Sequence, residues 1–464
     1  MASGDNLAVE TWAARVCANA ALPDERLNAR FVSVLAVLAA KPTDSIPQAF
    51  GDWGPTKAAY RFFENDRVTV PHLHDPIVEA TAASCAGLPV LYAIQDTTSL
   101  NFSNLHDTTG LGPINDSPAR GLMVHSTLAL DPEGIPLGLL GQETWARPVD
   151  EKTAVGRRER TIKEKESRKW LDGINDARRA LATLGAAQRP RLVHVADREC
   201  DIHEVFAEIL RCGDGAVIRC AQDRKIEGDP KFAHAAVRAA PCLGTGTIEV
   251  SRQAGRPARR AQVEYRAIHV RLAPDTTRRP DREMLDLNLV EVWEPEVPEG
   301  VEALHWLLWT TEPIETLEEV RAVAGIYRFR WPIEDVHLTL KSGCRIEDLR
   351  FETAERLKKA IVVYSAIAVR IVGMRDRVRR TPDAPCSVEL SEDEWRVLWA
   401  HKHDRPAAAV QTPPTLRQAV LWIGRLGGHL GRKRDGMPGV RTLWRGLRDL
   451  QILVAGYRIT RLVE

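Results

Sequence analysis

Two aspartates each close a short apolar run, Leu88-Pro-Val-Leu-Tyr-Ala-Ile-Gln-Asp96 and Arg191-Leu-Val-His-Val-Ala-Asp197. A single aspartate after such a run commonly serves a turn. Two of them on neighbouring strands would set like charges side by side, where one carboxyl titrates high unless a cation neutralises the pair. Mg2+ suits that position, because it is a hard ion held by a few carboxylates, water and phosphate. A third carboxylate is then expected. The best candidate lies in Ile326-Tyr-Arg-Phe-Arg-Trp-Pro-Ile-Glu-Asp-Val-His-Leu-Thr-Leu-Lys341, where Tyr327, Arg330, Glu334 and Lys341 follow spacings of three, four and seven and share one helical face. A carboxylate flanked by a tyrosine, an arginine and a lysine suits a metal ligand set among groups that grip phosphates. The same spacing also suits a solvated face held by an Arg330–Glu334 pair worth about 0.3 to 0.5 kcal/mol.

For the carboxylates to meet, the chain must place the two aspartate strands side by side. The order after the first run is favourable. Met123 to Leu130 and Ile135 to Trp145 flank the turn Asp131-Pro-Glu-Gly134 as an antiparallel hairpin, and a charged helix follows from about Lys163 to Leu184. The second run, a helix from about Asp201 to Leu210 and a short strand at Ala216 to Arg219 complete the set. Strand, hairpin, helix, strand, helix predicts an α/β fold with a mixed sheet and the two aspartate strands parallel. Their carboxyl ends then share the edge where open α/β sheets place their chemistry.

Around this core the reading is as follows. Residues 1–70 form a small helical unit (Glu10 to Ala21, Leu27 to Ala40, Thr56 to Glu64), and residues 71–373 form the catalytic unit, with a β-rich insertion at about 222–302. Strands are expected within the insertion at Gly246 to Val250, Ala261 to Val270 and Leu285 to Val292, and beyond it at Leu304 to Thr310. Helix is expected from about Thr316 to Gly373, with Pro332 either opening a new helix or kinking a continuous one. Residues 374–464 form a C-terminal helical unit with a Pro/Ala-rich linker from Arg405 to Pro414 and a last amphipathic helix from Thr442 to Gly456.

Composition sets the outer bounds. The 464 residues, 44% hydrophobic and 27% charged, describe a globular chain of two or three units, with no run of about 18 apolar residues to span a bilayer. The start, Met1-Ala-Ser-Gly-Asp, has no secretory pattern, so a cytoplasmic protein is expected. Eight cysteines form no C-x-x-C pair, which predicts reduced and mostly buried thiols. A net charge of +1 neither favours nor excludes nucleic acid, because phosphate affinity depends on local clusters. Such clusters recur at Arg26/Arg30, Arg157/Arg158/Arg160, Arg256/Arg259/Arg260, Arg375/Arg377/Arg379/Arg380 and Arg432/Lys433/Arg434, each also readable as a solvated face.

Several segments, in order, resemble the bacterial cut-and-paste transposases of the insertion-sequence-four group, transposon-five type. They are Ala59-Tyr-Arg-Phe62, Asp96-Thr-Thr-Ser-Leu, Arg120-Gly-Leu-Met-Val-His-Ser, Lys165-Glu-Ser-Arg-Lys-Trp170, Asp197-Arg-Glu-Cys-Asp-Ile-His203, the Y-x2-R-x3-E-x6-K pattern from Tyr327 to Lys341, Gly424-Arg-Leu-Gly-Gly428 and Leu443-Trp444. The resemblance implies a ribonuclease-H-like catalytic domain with a β insertion, an N-terminal unit that binds transposon ends and a C-terminal dimerisation unit. It implies that Asp96, Asp197 and Glu334 hold two Mg2+ ions, with Mn2+ as substitute. It further implies that Tyr327, Arg330, Lys341 and Arg219 hold DNA near the cleavage point, that Trp306 stacks on a flipped base, and that Arg26, Arg30 and Arg61 bind the ends. Read as residues alone, Trp306 could equally be a core tryptophan, and Trp309 could take its part. The implied partners are double-stranded transposon-end and target DNA and a second copy of the chain in the DNA complex, with no membrane and no small-molecule substrate. The implied reaction is end nicking, hairpin formation, hairpin opening and strand transfer.

Leu338 departs from the family pattern, standing where relatives carry a basic residue. The family also makes a truncated inhibitor from an internal start, but no methionine lies between Met1 and Met123 to argue for one. Two other functions share part of the pattern: a nuclease or resolvase that cleaves without strand transfer, and an inactive DNA-binding repressor. The Tyr327-to-Lys341 pattern favours the transposase over the first, and the presence of all three carboxylates favours it over the second.

Overall fold

The computed structural model describes residues 7–114, 118–148, 162–250, 259–274, 282–432 and 435–463. Arg157, Arg158, Arg160, Arg256, Lys433 and Arg434 lie outside the described residues.

The chain opens with helices α1 (Leu7–Val16), α2 (Glu25–Ala40), α3 (Ile46–Phe50) and α4 (Trp53–Glu64). Asp24 starts α2 by accepting a hydrogen bond from the Arg26 backbone, and Phe31 of α2 lies 6.1 Å from Phe62 of α4, ring to ring. Helix α3 is too short for apolar periodicity to reveal, but a Ser45–Gln48 capping box marks it. Helix α5 (Val70–Cys85) then leads into the sheet.

The sheet is built from β1 (Val90–Asn101), β2 (Gly112–Pro113), β3 (Arg120–Leu130) and β4 (Pro136–Trp145), then helix α6 (Arg168–Ala182), β5 (Arg191–Ala196), helix α7 (His203–Cys212) and β6 (Gly215–Arg219). Helix α8 (Ala233–Ala239), β7 (Gly244–Val250), β8 (Arg259–Leu272), β9 (Leu285–Trp293) and β10 (His305–Thr310) follow. Among the described residues, ten strands form one sheet in the order β2-β3-β1-β5-β6-β10-β9-β8-β7, with β4 paired to β3. Within it, β4-β3-β1-β5-β6 is the ribonuclease-H-like arrangement, antiparallel through β1 and parallel from β1 to β6. The β-rich insertion is continuous with this sheet: β10 pairs antiparallel with both β6 and β9, so β7, β8 and β9 widen one edge.

Helix α9 (Leu317–Tyr327), a 3-10 turn (Arg328–Arg330), α10 (Trp331–Leu338) and a π turn (Thr339–Gly343) follow in succession. Pro332 opens a new helix, standing in the first turn of α10. The continuous helix expected to Gly373 is instead broken after Cys344, where Arg345 takes φ +52 and a short 3-10 turn spans Ile346–Asp348. The next helix, α11 (Ala354–Arg377), is almost wholly buried and runs straight through residues 373 and 374. The C-terminal unit adds α12 (Glu392–His403), α13 (Leu416–Leu426) and α14 (Val440–Val463). No described helix is long and apolar enough to cross a membrane. All cysteines are free thiols, buried except for half-buried Cys212 and exposed Cys242.

The glycine-rich segment near the end makes contacts within the chain. A Cβ on Gly446 would stand 1.7 Å from the Ile423 carbonyl oxygen, and one on Gly427 would stand 1.8 Å from that of Thr442. Backbone meets backbone at the α13–α14 crossing, and only hydrogen fits between. Gly446→Ala should therefore lower thermal stability, by about 1 to 3 kcal/mol or more as the helices are forced apart. An unchanged melting temperature would show that the crossing yields without strain.

Candidate active site

The site starts from the register of two parallel strands. Ile94 of β1 pairs with Val195 of β5, so two residues further along each chain Asp96 stands across from Asp197. The strand β1 does not end at Asp96, as the apolar run suggested. It leaves β5 after Ile94 but stays paired to β3 as far as Asn101, with Asp96 opposite Ser126. Asp197 ends its strand as expected and caps the 3-10 turn Arg198–Cys200, its Oδ1 accepting from the Glu199 backbone at 2.9 Å.

Glu334 arrives from the first turn of α10, which packs on β1. The charges of Asp197 and Glu334 both act on Asp96. Burial, with the Asp197 and Glu334 charges adding to it against a backbone hydrogen bond from Thr97 and the Arg330 charge, raises the Asp96 carboxyl from its ordinary value of 3.8 to about 7. The Asp96 side chain is only 20% exposed, with His337 Nδ1 3.8 Å from its Oδ2. His337 is itself buried, its Nε2 has no partner, and desolvation together with the Lys341 charge lowers its pKa to about 3, so the ring is neutral.

Among the described residues, no three His, Cys, Asp or Glu side chains converge as a preformed metal site. Glu334 is ion-paired with Arg330, whose guanidinium also lies 4.6 Å from the centre of the Trp331 ring. The donor set nevertheless fits a hard divalent cation: three carboxylate groups lie within electrostatic reach, the buried one is pushed toward its protonated form by desolvation and by the other two, and all offer oxygen.

The other expected site residues are distributed as follows. Tyr327 is buried, its ring 5.2 Å from Trp306 and 5.9 Å from Trp331. Trp306 is 7% exposed and belongs to this aromatic cluster. Trp309 points through the opposite face of β10 into the core against Phe206, fully buried. Lys341 is half-buried in the π turn, its pKa lowered by desolvation and pulled back up by Glu347 and Asp96. Arg219 ends β6 and donates to the His305 carbonyl at 2.9 Å. Leu338 packs on the core. Arg26, Arg30 and Arg61 sit on α2 and α4 in the N-terminal helical unit, with Arg26 paired to its own helix cap, Asp24, at 3.1 Å. The arginine cluster from 375 to 380 is spent internally: Arg375 on Asp335 and Asp376, Arg377 on Glu389, Arg379 on Asp376 and Arg380 on Asp131.

Two neighbours were not singled out by the sequence reading. Trp331 was hidden in the segment treated as a carboxylate face, although its place beside Arg330 is a stacking signal. His337 lies three residues after Glu334, the spacing of one helical face.

Three family profiles match the chain: Transposase DNA-binding over residues 9–68, Transposase DDE domain over residues 141–370, and Transposase Tn5 dimerisation domain over residues 366–464. Asp197 and Glu334 fall within the second match, and Asp96 lies ahead of it.

The strained charge on Asp96 has a measurable consequence without any DNA. A carboxyl whose folded pKa is raised from 3.8 to about 7 contributes stability at low pH that is lost as pH rises through about 7. Asp96→Asn should therefore make the metal-free protein more stable above pH 7, by about 2 to 4 kcal/mol at pH 8, with the gain vanishing near pH 4. Thermal melts at several pH values test this, and a loss of stability at pH 8 would contradict the crowding of charge at the strand ends.

Proposed function

We propose, from the premise that this chain belongs to the DDE transposases of the Tn5 type, that Asp96, Asp197 and Glu334 hold two divalent cations, Mg2+ or Mn2+, for DNA cleavage and strand transfer. The observation that carries this reading is the β1–β5 register, which sets Asp96 across from Asp197 where Glu334 also acts on it. The bound ions would activate the attacking water or 3′-hydroxyl and stabilise the leaving oxygen of each in-line phosphoryl transfer. No covalent protein intermediate is required.

The chain's own residues do the rest. Arg330 is ion-paired with Glu334; were Glu334 to hold a cation, the guanidinium would be free for a phosphate oxygen while still held against Trp331. Lys341 and Arg219 add positive charge near the site, and Tyr327 supports the aromatic cluster from beneath. In this reading the steps are nicking, hairpin formation, hairpin opening and transfer into target DNA. Residues 1–70 bind the transposon ends through Arg26, Arg30 and Arg61, residues 71–373 carry the chemistry, and residues 374–464 pair two copies in the DNA complex.

Asp96→Asn, Asp197→Asn and Glu334→Gln should each abolish nicking of end DNA with Mg2+ while leaving end binding by gel shift largely intact. A variant that nicks at a near-normal rate removes its residue from the triad.

Trp306 should act on one step only. A tight hairpin requires a base to leave the stack, and a base resting on an indole gains about 1 to 3 kcal/mol, or about five-fold to more than a hundred-fold in rate if expressed in the transition state. Trp306→Ala should lower the ratio of hairpinned to nicked ends by that factor. Because Trp306 is mostly buried the variant also loses stability, but stability loss alone lowers both products together. Trp309→Ala, which removes a fully buried core ring, is the control for that behaviour. A hairpin-to-nick ratio that falls for Trp309→Ala and not for Trp306→Ala would transfer the role to the other tryptophan.

A further inference from the structure

Two motifs from the sequence have no part in the mechanism so far: the segment around His125 and the one ending at Lys169-Trp170. They meet on the reverse face of β1. Side chains alternate along a strand, so Gln95 and Thr97 point away from the face that carries Asp96. His125 of β3 stands directly opposite Thr97 and receives both: its Nδ1 lies 2.9 Å from Thr97 Oγ1 and its Nε2 lies 3.0 Å from Gln95 Oε1.

Chemistry dictates the direction of these bonds. Burial, with the Lys169 charge adding to it, holds the His125 pKa well below its ordinary value, so the ring carries one proton. Gln95 Oε1 can only accept, which places that proton on Nε2 and makes Nδ1 the acceptor for the Thr97 hydroxyl. The ring is only 3% exposed and edge-on to Trp170 at 4.8 Å. Lys169 Nζ lies 5.5 Å from the Trp170 ring and 5.8 Å from that of Trp145, and reaches Glu199 Oε2 at 3.5 Å. Helix α6 comes this close because Gly173 has no side chain: a Cβ there would stand 2.4 Å from Gln95 Oε1.

The location explains why such a network is needed. Past Ile94, β1 has no strand on the β5 side, so at Asp96 only the β3 edge holds its backbone. Repulsion from Asp197 and Glu334 acts on that same residue. Thr97 donates its backbone N–H to Asp96 Oδ1 at 2.7 Å while its hydroxyl is tied to His125. We propose that His125 and Thr97 are positioning residues which, from the reverse face of the sheet, fix the Asp96 carboxylate in the orientation that receives a divalent cation. This rests on the reading of Asp96 as a metal ligand.

Full-length protein titrated with Mn2+ by calorimetry, alongside nicking assays, tests the idea. Thr97→Val keeps the shape and strand preference of threonine but loses the hydroxyl, and should weaken Mn2+ binding by about 10- to 100-fold, as losses behind a ligand typically do. Thr97→Ser restores the donor and should bind close to wild type, and His125→Phe should match Thr97→Val. End binding should be unchanged in all three. Near-normal Mn2+ affinity in Thr97→Val, or a Thr97→Ser variant as weak as Thr97→Val, overturns the proposal even if His125→Phe fails to fold. Asp96→Asn separates the two layers: loss of Mn2+ binding there with retention in Thr97→Val defeats the positioning role alone, whereas wild-type binding by Asp96→Asn defeats both.

Discussion

Crowding of negative charge at the end of two parallel strands is the constraint around which this molecule is arranged. A carboxylate taken from water pays a desolvation cost that opposite charge or hydrogen bonds must offset. Asp96 has one backbone donor and the charges of Arg330 and Lys341 to offset its burial, and two further carboxylates that oppose it. The fold therefore carries a destabilising feature at its centre, supported by an extensive core of fully buried residues on α11 and the sheet strands.

The supports around Asp96 divide by face. On one side the 3-10 turn and α10 bring Arg330, ion-paired with Glu334, and neutral His337. On the other side α6 and β3 bring His125, Trp170 and Lys169, a set that is buried and tied by short hydrogen bonds. If the first face holds metal and phosphate as proposed, it would have to release its ion pairs to do so, and the buried network on the reverse face would be the one that holds the strand still.

Much of this was legible in the sequence because it follows local rules. The apolar runs before Asp96 and Asp197, the hairpin turn at Asp131 to Gly134, and the helix start at Thr316 all depend on neighbours in the chain. What was not legible depends on contacts across the fold. The extent of β1 past Asp96 is set by β3, which lies beyond a turn and a loop. The break after Cys344 occurs where Arg345 adopts a left-handed conformation that apolar periodicity cannot reveal. The burial of Trp306 and Tyr327 could not be separated from exposure by spacing alone, because the helix face that carries the charged residues also carries the ring that fills the core. Arginine clusters were the weakest guide, since those at 375 to 380 meet carboxylates far away in sequence, such as Asp131.

The division into units is clearer in the family matches than in the packing. The DDE and dimerisation matches overlap at residues 366–370, inside α11, which is buried against β4, α5 and α2 as well as against α14. A helix shared in this way cannot act as a hinge, because bending it would open the core on several sides at once. A second contact joins the same units nearer the chemistry. Gly343, in the π turn that carries Lys341, lies so close to Trp444 of α14 that a Cβ would sit 3.0 Å from the indole. The lysine beside the carboxylates is thus set by a turn whose outer wall belongs to the C-terminal helix. Asp96 and Asp197 are instead carried by the sheet strands and their ends.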